Sequence, residues 1–354
     1  MKTLHLIGSR ALGGAERWCF KLTRALHAQG EAVGIGIRQG SELTHLPWGT
    51  LRVTPLPLHT VWDPWSRWAV ARWIRREQPA LVQTYMGRAT RLTRLEAGRE
   101  PVHLARLGGY YKLDGYRHAH AWVANTLGLC DYLIEQGFPK QRVFHLYNFA
   151  DPPRPVDPAE LAALRASLGA GDEWLLLTPG RFVPVKGHPH LLEALARLPA
   201  LMGGRRWRLI LLGEGPLGES LRDQARRLAL EDRLLWPGWQ RDPAPWYALA
   251  DLVVFPSLEM ETFGNVVVET WSHGKPLVTT AFRGAREIVR NGVDARLVPC
   301  ADPAALAQGI AEVLNDPAWA RELAESGRLR LAKDFQRERI LSDHLDLYRH
   351  LARV

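Results

Sequence analysis

The chain has 354 residues, of which 46% are hydrophobic, and its formal net charge is +9. This length and composition suit two globular domains and exclude a chain too polar to bury a core. The sequence holds no apolar run near the roughly 20 residues that cross a bilayer and no N-terminal run of signal-peptide length, so we expect a cytoplasmic protein.

The excess positive charge is confined to one part of the chain. Residues 1–150 hold 20 Lys and Arg against 10 Asp and Glu, whereas the remainder holds 26 against 27. A basic domain attracts anionic partners over long range. We therefore expect any anionic partner to meet the N-terminal part.

Neither the cysteines nor the histidines have the spacing of a metal site. Cys19, Cys130 and Cys300 are far apart and odd in number, and the 13 histidines form no His-Glu-x-x-His pattern. An Asp-x-Asp motif of a metal-dependent transferase is also missing. The sequence predicts reduced thiols, no metal and no cofactor.

The N-terminal part alternates strands with helices. Residues 3–7 form an apolar run, GSRALGGAE follows it, and helical spacing then continues to Gly30. Further predicted strands are residues 32–38, 80–86, 102–107, 122–125 and 142–148. This alternation predicts a parallel, doubly wound sheet.

A proline-rich linker separates this part from a second one. Residues 149–158 carry four prolines, which remove backbone donors and favour an extended segment. The strand and helix rhythm then restarts, with predicted strands at residues 174–180, 207–213, 233–238, 251–257, 276–280 and 295–299. From residue 303 onward the pattern is helical. We predict domains at residues 1–150 and 151–335, with a final helix at 336–354.

The loop after the predicted strand 251–257 carries the most chemistry. Ligands of open parallel sheets bind beyond the carboxyl ends of the strands. There, Phe263, Gly264 and Asn265 enter a helix whose N-terminal amides suit a diphosphate. Glu261 and Glu269 flank this turn, and a carboxylate can accept hydrogen bonds from two vicinal hydroxyls.

Basic residues stand on a neighbouring loop. Arg181 and Lys186 follow the strand at 174–180 and can supply the positive charge that a departing diphosphate needs. On this interpretation no metal ion is required for the departure of the nucleotide.

The segment E-T-F-G-N-V-V-V-E, from Glu261 to Glu269, resembles the E-x7-E signature of retaining GT-B glycosyltransferases of family 4. The resemblance extends along the chain, through the segments GGAE (13–16), YNFAD (147–151), GRFVPVKG (180–187), GEGP (213–216) and GKPLVTTAFRGAREIV (274–289). It implies an α/β GT-B fold: two Rossmann-like domains facing a central cleft, an N-terminal acceptor domain, a C-terminal donor domain, and a last helix that crosses back to the N-terminal domain.

The resemblance also implies roles for particular residues, with a nucleotide diphosphate sugar as donor and with retention of configuration. Arg181, Lys186 and Glu261 form the implied catalytic set, and no nucleophile is assigned. The implied donor-binding set is Gly13, Gly14, Gly180, Gly213, Glu214, Phe263, Gly264, Asn265 and Glu269. For Glu214 the sequence alone favours a solvated turn, and for GGAE a simple capped helix start remains open.

One position departs from the family pattern. Where relatives carry a histidine after an N-terminal strand, this chain has Gly108, and either His118, His120 or a backbone carbonyl is a candidate replacement. Residues 105–126 resemble members that assemble lipopolysaccharide or other cell-surface glycans, so we expect an anionic or lipid-linked acceptor. The candidate acceptor-binding residues are Tyr85, Arg88, Arg106, Gly108 and His118.

Tryptophans alternate with arginines between residues 62 and 76. One interpretation is an interfacial helix in which Trp62, Trp65, Trp68 and Trp73 meet an anionic inner-membrane surface. The other is a helix that packs Trp65, Trp68 and Trp73 on the sheet and solvates its arginines. Trp239 has two similar interpretations, a nucleobase contact or packing on its own domain.

Three other functions were weighed against this one, and the first two remain open. A glycoside phosphorylase has the same fold, and a non-catalytic sugar-binding subunit would also keep the donor motifs. The basic N-terminal part suggests nucleic-acid binding as a third function. It contains no recognition module, however, and the donor motifs would then have no role, so we predict no nucleic-acid partner.

Overall fold

The computed structural model describes residues 1–353 and contains two separate parallel sheets. Contacts divide the chain into two units, one formed by Met1–Asn148 with the stretch that begins at Arg337, the other by Phe149–Gln336. The predicted boundaries were residues 150 and 335.

The N-terminal unit has seven strands among the described residues, in the order β3-β2-β1-β4-β5-β6-β7, with every pair parallel. The strands are β1 (Lys2–Ile7), β2 (Ala32–Arg38), β3 (Arg52–Leu56), β4 (Leu81–Tyr85), β5 (Val102–Leu107), β6 (Ala121–Ala124) and β7 (Val143–His145). Its helices are α1 (Gly14–Ala28), α2 (Pro64–Glu77), α3 (Met86–Leu92) and α4 (Leu127–Glu135). Strands β1, β4 and β5 are buried almost throughout. This burial agrees with their apolar sequences, which are typical of a parallel sheet covered on both faces.

The C-terminal unit has six parallel strands among the described residues, in the order β10-β9-β8-β11-β12-β13. The strands are β8 (Trp174–Pro179), β9 (Trp207–Leu212), β10 (Leu234–Leu235), β11 (Leu252–Phe255), β12 (Leu277–Thr280) and β13 (Arg296–Val298). Its helices are α5 (Pro158–Ser167), α6 (His188–Leu195), α7 (Gly218–Arg227), α8 (Ala244–Leu249), α9 (Asn265–Ser272), α10 (Arg283–Ile288), α11 (Pro303–Asn315) and α12 (Pro317–Asp334). The prediction of two α/β, Rossmann-like parallel-sheet domains is confirmed.

One strand was missed by the sequence analysis. Strand β3 contains Pro55, which cannot donate a hydrogen bond to a neighbouring strand. The structure places β3 at the edge of the sheet, paired with β2 alone, where a proline is tolerated. A proline argues against a central strand, and the sequence of the segment does not reveal that the strand lies at the edge of the sheet.

The final helix, α13 (Arg337–Ala352), packs on the N-terminal unit, as the fold class predicts. Its Tyr348 hydroxyl donates to Oε1 of Gln83 at 2.7 Å, and Nε2 of Gln83 donates to the Tyr85 hydroxyl at 2.7 Å. His5 Nδ1 lies 2.9 Å from that hydroxyl. Burial lowers the pKa of His5, and that of His344 on α13, to about 3, so both imidazoles are uncharged near neutral pH.

No helix within residues 1–353 is both long enough and apolar enough to span a bilayer.

Removing the Tyr348 hydroxyl tests this attachment. In Y348F the buried Gln83 carbonyl loses its donor, so the free energy of opening of the α13 amides should fall by about 1–3 kcal/mol, measured by native-state hydrogen exchange. The control is D346N on the same helix, since Asp346 is 67% exposed and pairs only at the surface with Arg349. Equal protection in Y348F and the wild type would show that the hydrogen bond does not hold the helix.

Candidate functional site

The loop after β8 reaches the end of β11 because a glycine permits a close approach. Gly187 has a φ of +66°, and a Cβ at this position would lie 2.0 Å from the carbonyl oxygen of Pro256. The backbone is also joined there, since the Leu258 amide donates to the Val185 carbonyl at 2.8 Å. This approach places Lys186 next to the loop that follows β11.

Lys186 and Glu261 form an ion pair at this meeting point. The Lys186 Nζ lies 2.8 Å from Oε2 of Glu261, and the Ser257 hydroxyl donates to the same oxygen at 3.3 Å. The Nζ is also 4.8 Å from the centre of the Phe255 ring. The two side chains are 20% and 15% exposed, so both remain reachable from solvent. The structure brings two of the three predicted catalytic residues into direct contact.

Arg181, the third member of that set, is exposed on the same loop. Gly180 precedes it directly after β8, and a Cβ on Gly213 would lie 2.0 Å from the Gly180 carbonyl oxygen. The loop after β9 is thus packed against the loop that carries Arg181 and Lys186. Only a residue without a side chain fits at Gly213.

Glu214 follows Gly213 and is exposed, with its Oε1 accepting from the Trp239 amide at 3.2 Å. This contact joins the loop after β9 to the turn after β10. Trp239 is 49% exposed.

The N-terminus of α9 is shaped by a second close approach. Gly264 precedes the helix with a φ of +74°, and a Cβ there would lie 2.5 Å from Cζ of Phe282. Phe263 is buried, which anchors the turn, and Asn265 begins the helix half-buried. Helix N-termini favour anions because their first amides and their dipole point outward.

Glu269 lies one turn further along α9 and is half-buried. The Tyr247 hydroxyl, on α8, donates to its Oε2 at 3.4 Å, and the Tyr247 ring stacks on His273 at 4.4 Å. Burial and the nearby Glu269 carboxylate raise the pKa of Tyr247 well above its ordinary value. Sequence analysis missed Tyr247, because no motif marks it and only the packing of α8 beside α9 places it there.

The N-terminal GGAE segment is a capped helix start. Gly13 precedes α1, its amide donates to Oε2 of Glu16 at 2.9 Å, and Glu16 is buried. A Cβ on Gly14 would meet nothing within 4 Å. The capping interpretation therefore accounts for Gly13, while the surface beside Gly14 is open.

Two of the predicted acceptor residues are buried. Tyr85 is 1% and Arg106 is 4% exposed. Arg106 Nη2 donates to Oδ1 of Asn148 at 2.5 Å, and its guanidinium lies 4.8 Å from the Trp18 ring centre. Burial lowers the pKa of Arg106 to about 10, which leaves it charged. In this structure both residues belong to the interior of the N-terminal unit.

The structure places His118 and His120, the candidate replacements of the family histidine, away from Gly108. His118 Nε2 lies 2.9 Å from the Thr90 and Thr93 carbonyl oxygens, and its ring is 5.4 Å from that of His103 near the start of β5. The His120 amide donates to the His103 carbonyl. Gly108 follows the other end of β5, on the order of 15 Å away at the rise of a strand. The Arg106 Nη1 is instead 3.6 Å from the Cβ position of Gly108.

The tryptophans of α2 and the preceding turn divide into two groups. Trp62, Trp65 and Trp68, here called the tryptophan surface, are 80%, 59% and 44% exposed, whereas Trp73 is 3% exposed. Trp65 and Trp68 stack on each other at 4.6 Å. The packing interpretation is therefore correct for Trp73 and wrong for Trp65 and Trp68.

Within residues 1–353 no three His, Cys, Asp or Glu side chains are grouped so that they can hold a metal ion. The thiols of Cys19 and Cys130 are buried, and that of Cys300 is half-buried.

Two Rossmann-like domains, the second with cationic and carboxylate side chains at the carboxyl ends of its strands, define an α/β protein of GT-B fold. Residues 162–330 match the family described as glycosyl transferases group 1, and residues 12–154 match glycosyltransferase family 4. The chain belongs to this group 1, family 4 type of glycosyltransferase, and the predicted family is confirmed.

Relatives and solved structures agree with this assignment. The chain is 31% identical over 342 residues to the lipopolysaccharide core biosynthesis glycosyltransferase LpsE of Rhizobium meliloti, covering 95% of each chain. It is 29% identical over 357 residues to LpsD of the same organism, covering 98% of each. Anabaena HepE in complex with UDP and glucose has a TM-score of 0.84 at 22% identity, covering 98% of this chain and 99% of that one, which shows the shared fold.

Substitution of Gly264 tests the turn before α9. In G264A the strained φ and the clash with Phe282 act together, so the free energy of unfolding should fall by about 2–4 kcal/mol. The control G274A keeps a positive φ of +59° but meets nothing within 4 Å, so it should cost only about 1 kcal/mol. Urea denaturation followed by circular dichroism measures the free energy of unfolding of both variants. Equal losses would show that the contact between Gly264 and Phe282 adds no cost.

Proposed function

We propose that this protein transfers a sugar from a nucleoside diphosphate sugar to an acceptor glycan, with retention of configuration. The observation that carries the proposal is the Lys186–Glu261 pair, held at 2.8 Å beside the N-terminus of α9. A lysine, an exposed arginine and a helix N-terminus on neighbouring strand ends suit a diphosphate. The resemblance of residues 261–269 to the signature of retaining enzymes supports retention.

In this proposal the diphosphate of the donor replaces Glu261 as the partner of Lys186. The diphosphate carries more negative charge than one carboxylate, so Lys186 turns from Glu261 to the phosphate oxygens. Glu261 is then available to accept hydrogen bonds from hydroxyls of the donor sugar. Glu269, oriented by Tyr247, accepts from the ribose hydroxyls.

The chemical step requires stabilisation of the negative charge that develops on the departing diphosphate. Arg181 and Lys186 stand on one loop and supply two cationic donors for it, in place of a metal ion. Cations that are already positioned before the reaction stabilise such charge more effectively than mobile solvent does. We assign no covalent nucleophile.

The proposed acceptor is a lipopolysaccharide core or another anionic, lipid-linked cell-surface glycan. Two relatives that span almost the whole chain are described as lipopolysaccharide core biosynthesis glycosyltransferases. The excess of positive charge in residues 1–150 supports an anionic acceptor. We further propose that the enzyme acts in the cytoplasm at the inner face of the membrane.

Charge-removing variants of the ion pair test the donor site. K186M and E261Q should each lower kcat/KM for transfer by roughly 10²- to 10³-fold, because a group that acts on the transition state is lost. K186M should also weaken UDP binding, measured by thermal shift. Turnover at the wild-type rate in either variant would remove that residue from the mechanism.

The matched control for E261Q is E259Q. Glu259 is two residues away and 48% exposed, and it pairs at the surface with Arg286 at 2.5 Å. The E259Q substitution removes the same charge from the same loop and leaves the contact of Lys186 with Glu261 unchanged. A loss in E259Q equal to that in E261Q would indicate a general electrostatic effect rather than a specific contact.

The tryptophan surface supports membrane contact. Its three indole rings are too exposed to contribute to the core, and large exposed aromatic groups favour the headgroup region of a bilayer. The Arg72 guanidinium lies 5.2 Å from the Trp68 ring centre, which adds a cation next to the aromatic pair. Basic residues beside such rings attract anionic lipid.

Vesicle sedimentation tests this contact. The variant W62A/W65A/W68A should bind anionic vesicles on the order of 10-fold more weakly than the wild type, and the wild type should prefer anionic over neutral vesicles. The control is L127A/L201A/L329A, which removes three leucines of 50%, 53% and 55% exposure elsewhere. If both variants bind as the wild type does, the membrane contact is refuted.

A further inference from the structure

A cavity of about 320 Å³ lies within the N-terminal unit, apart from the donor loops described above. The side chains that matter for its chemistry are Arg88, Arg91, Lys112, Tyr111, Tyr116 and Met86. We call this cavity the arginine pocket. Met86, Arg88 and Arg91 lie on α3, directly after β4, and the tyrosines and Lys112 follow β5. The pocket therefore occupies the carboxyl edge of the sheet, where parallel α/β sheets bind ligands.

The charge of the pocket is positive and unbalanced. None of the residues that line it is acidic, and the ion pairs among residues 1–353 include none with Arg88, Arg91 or Lys112. Arg88 and Arg91 stand three positions apart on one helix, an arrangement that repels. Burial, with repulsion from Arg67 and Arg91, lowers the pKa of nearby Arg94. Such crowding of cations without a carboxylate favours an anion in the pocket.

Both arginines are held in place by close packing. The Arg88 side chain lies against Gly8, where a Cβ would be 3.1 Å from its Cδ, and its Nη1 is 3.4 Å from the Gly8 and Leu58 carbonyl oxygens. The Arg91 Nε would be 2.0 Å from a Cβ on Gly115. Glycines on two different loops thus make room for the two stems. The guanidinium groups are positioned before any ligand arrives.

The pocket also has an apolar wall and a strained edge. The rings of Tyr111 and Tyr116 lie nearly parallel, 6.0 Å apart and tilted by 7°. Tyr116 is buried, while Tyr111 is half-buried and turns an aromatic surface to the cavity. Met86 has a φ of +62°, a region that side chains other than glycine avoid and that occurs often at ligand sites.

We propose that the arginine pocket binds a single sugar unit that carries an oxyanion, either a phosphate or a carboxylate, as the recognition unit of the acceptor. The two guanidiniums bind the oxyanion with paired hydrogen bonds, and the apolar face of the sugar ring packs on Tyr111. A volume of 320 Å³ accommodates one substituted monosaccharide. The assignment as an acceptor subsite rests on the proposed glycosyltransferase function.

Binding of small sugars to the full chain tests this proposal. The probes are glucose 6-phosphate, glucuronate and neutral glucose, titrated by ligand-observed NMR. The wild type should bind at least one of the two anionic sugars roughly 10- to 100-fold more tightly than glucose. Preference for the phosphate probe identifies a phosphorylated acceptor unit, and preference for glucuronate identifies a carboxylated one.

The variant R88Q/R91Q should lose this preference, whereas R99Q should retain it. Arg99 belongs to the same basic part of the chain but is 75% exposed and pairs with Glu96. A second variant, K112Q, changes an exposed side chain without disturbing the fold and should weaken binding of the anionic sugar several-fold. Equal affinity for charged and neutral sugars in the wild type, or equal losses in R99Q and R88Q/R91Q, would overturn the proposal.

Failure of this proposal is distinguishable from failure of the proposed function. Thermal stabilisation by UDP reports the donor site and should be unchanged in R88Q/R91Q. If UDP stabilises the chain but no anionic sugar binds, the pocket proposal fails alone. If an anionic sugar binds and neither UDP nor any other nucleoside diphosphate does, the donor assignment fails and the pocket remains an anion site.

Discussion

The ion pair of Lys186 and Glu261 is the contact on which the candidate site of the C-terminal unit depends. It exists because the loop after β8 approaches the end of β11 closely enough to require Gly187, with the Pro256 carbonyl in the place of a side chain. A partly buried lysine is costly to leave uncompensated, so Glu261 stabilises it in the free protein. The same pairing means that a ligand must offer Lys186 a better anion than a carboxylate.

Among the described residues, two groups of cations in the N-terminal unit lack an ion pair of this kind. Arg106 is buried with an amide and an aromatic ring as neighbours, and the arginine pocket groups cations without an acidic residue in its lining. In the arginine pocket, the side chains of Arg88 and Arg91 are held by packing against Gly8 and Gly115 rather than by ion pairs. A fold that keeps such groups charged and apart from carboxylates bears an electrostatic cost, which binding of an anion relieves.

The sequence predicted what local patterns can encode. The apolar runs defined twelve of the thirteen strands of the described chain, and the E-x7-E spacing placed Glu261 and Glu269 on either side of a helix start. It failed where position in the fold decides. Pro55 concealed an edge strand, Tyr247 reaches Glu269 only through the packing of α8, and His118 lies near the start of β5 rather than beside Gly108. Trp65 and Trp73 share one helix, and only the packed structure distinguishes the exposed ring from the buried one.

The pairing of charges also decides over what distance the charges of each unit attract an anionic ligand. A lysine bonded to a carboxylate is a small dipole, whose field falls off faster than that of a single charge, so the Lys186–Glu261 pair recognises a ligand only on contact. Unpaired cations act as net charge and attract anions over roughly the Debye length of 8–10 Å at physiological salt. The balance of 26 basic against 27 acidic residues after residue 150, and the excess before it, extends this contrast along the sequence. On the proposed function, the N-terminal unit therefore attracts an anionic partner from a distance, and the C-terminal unit selects a diphosphate by exchange at the ion pair.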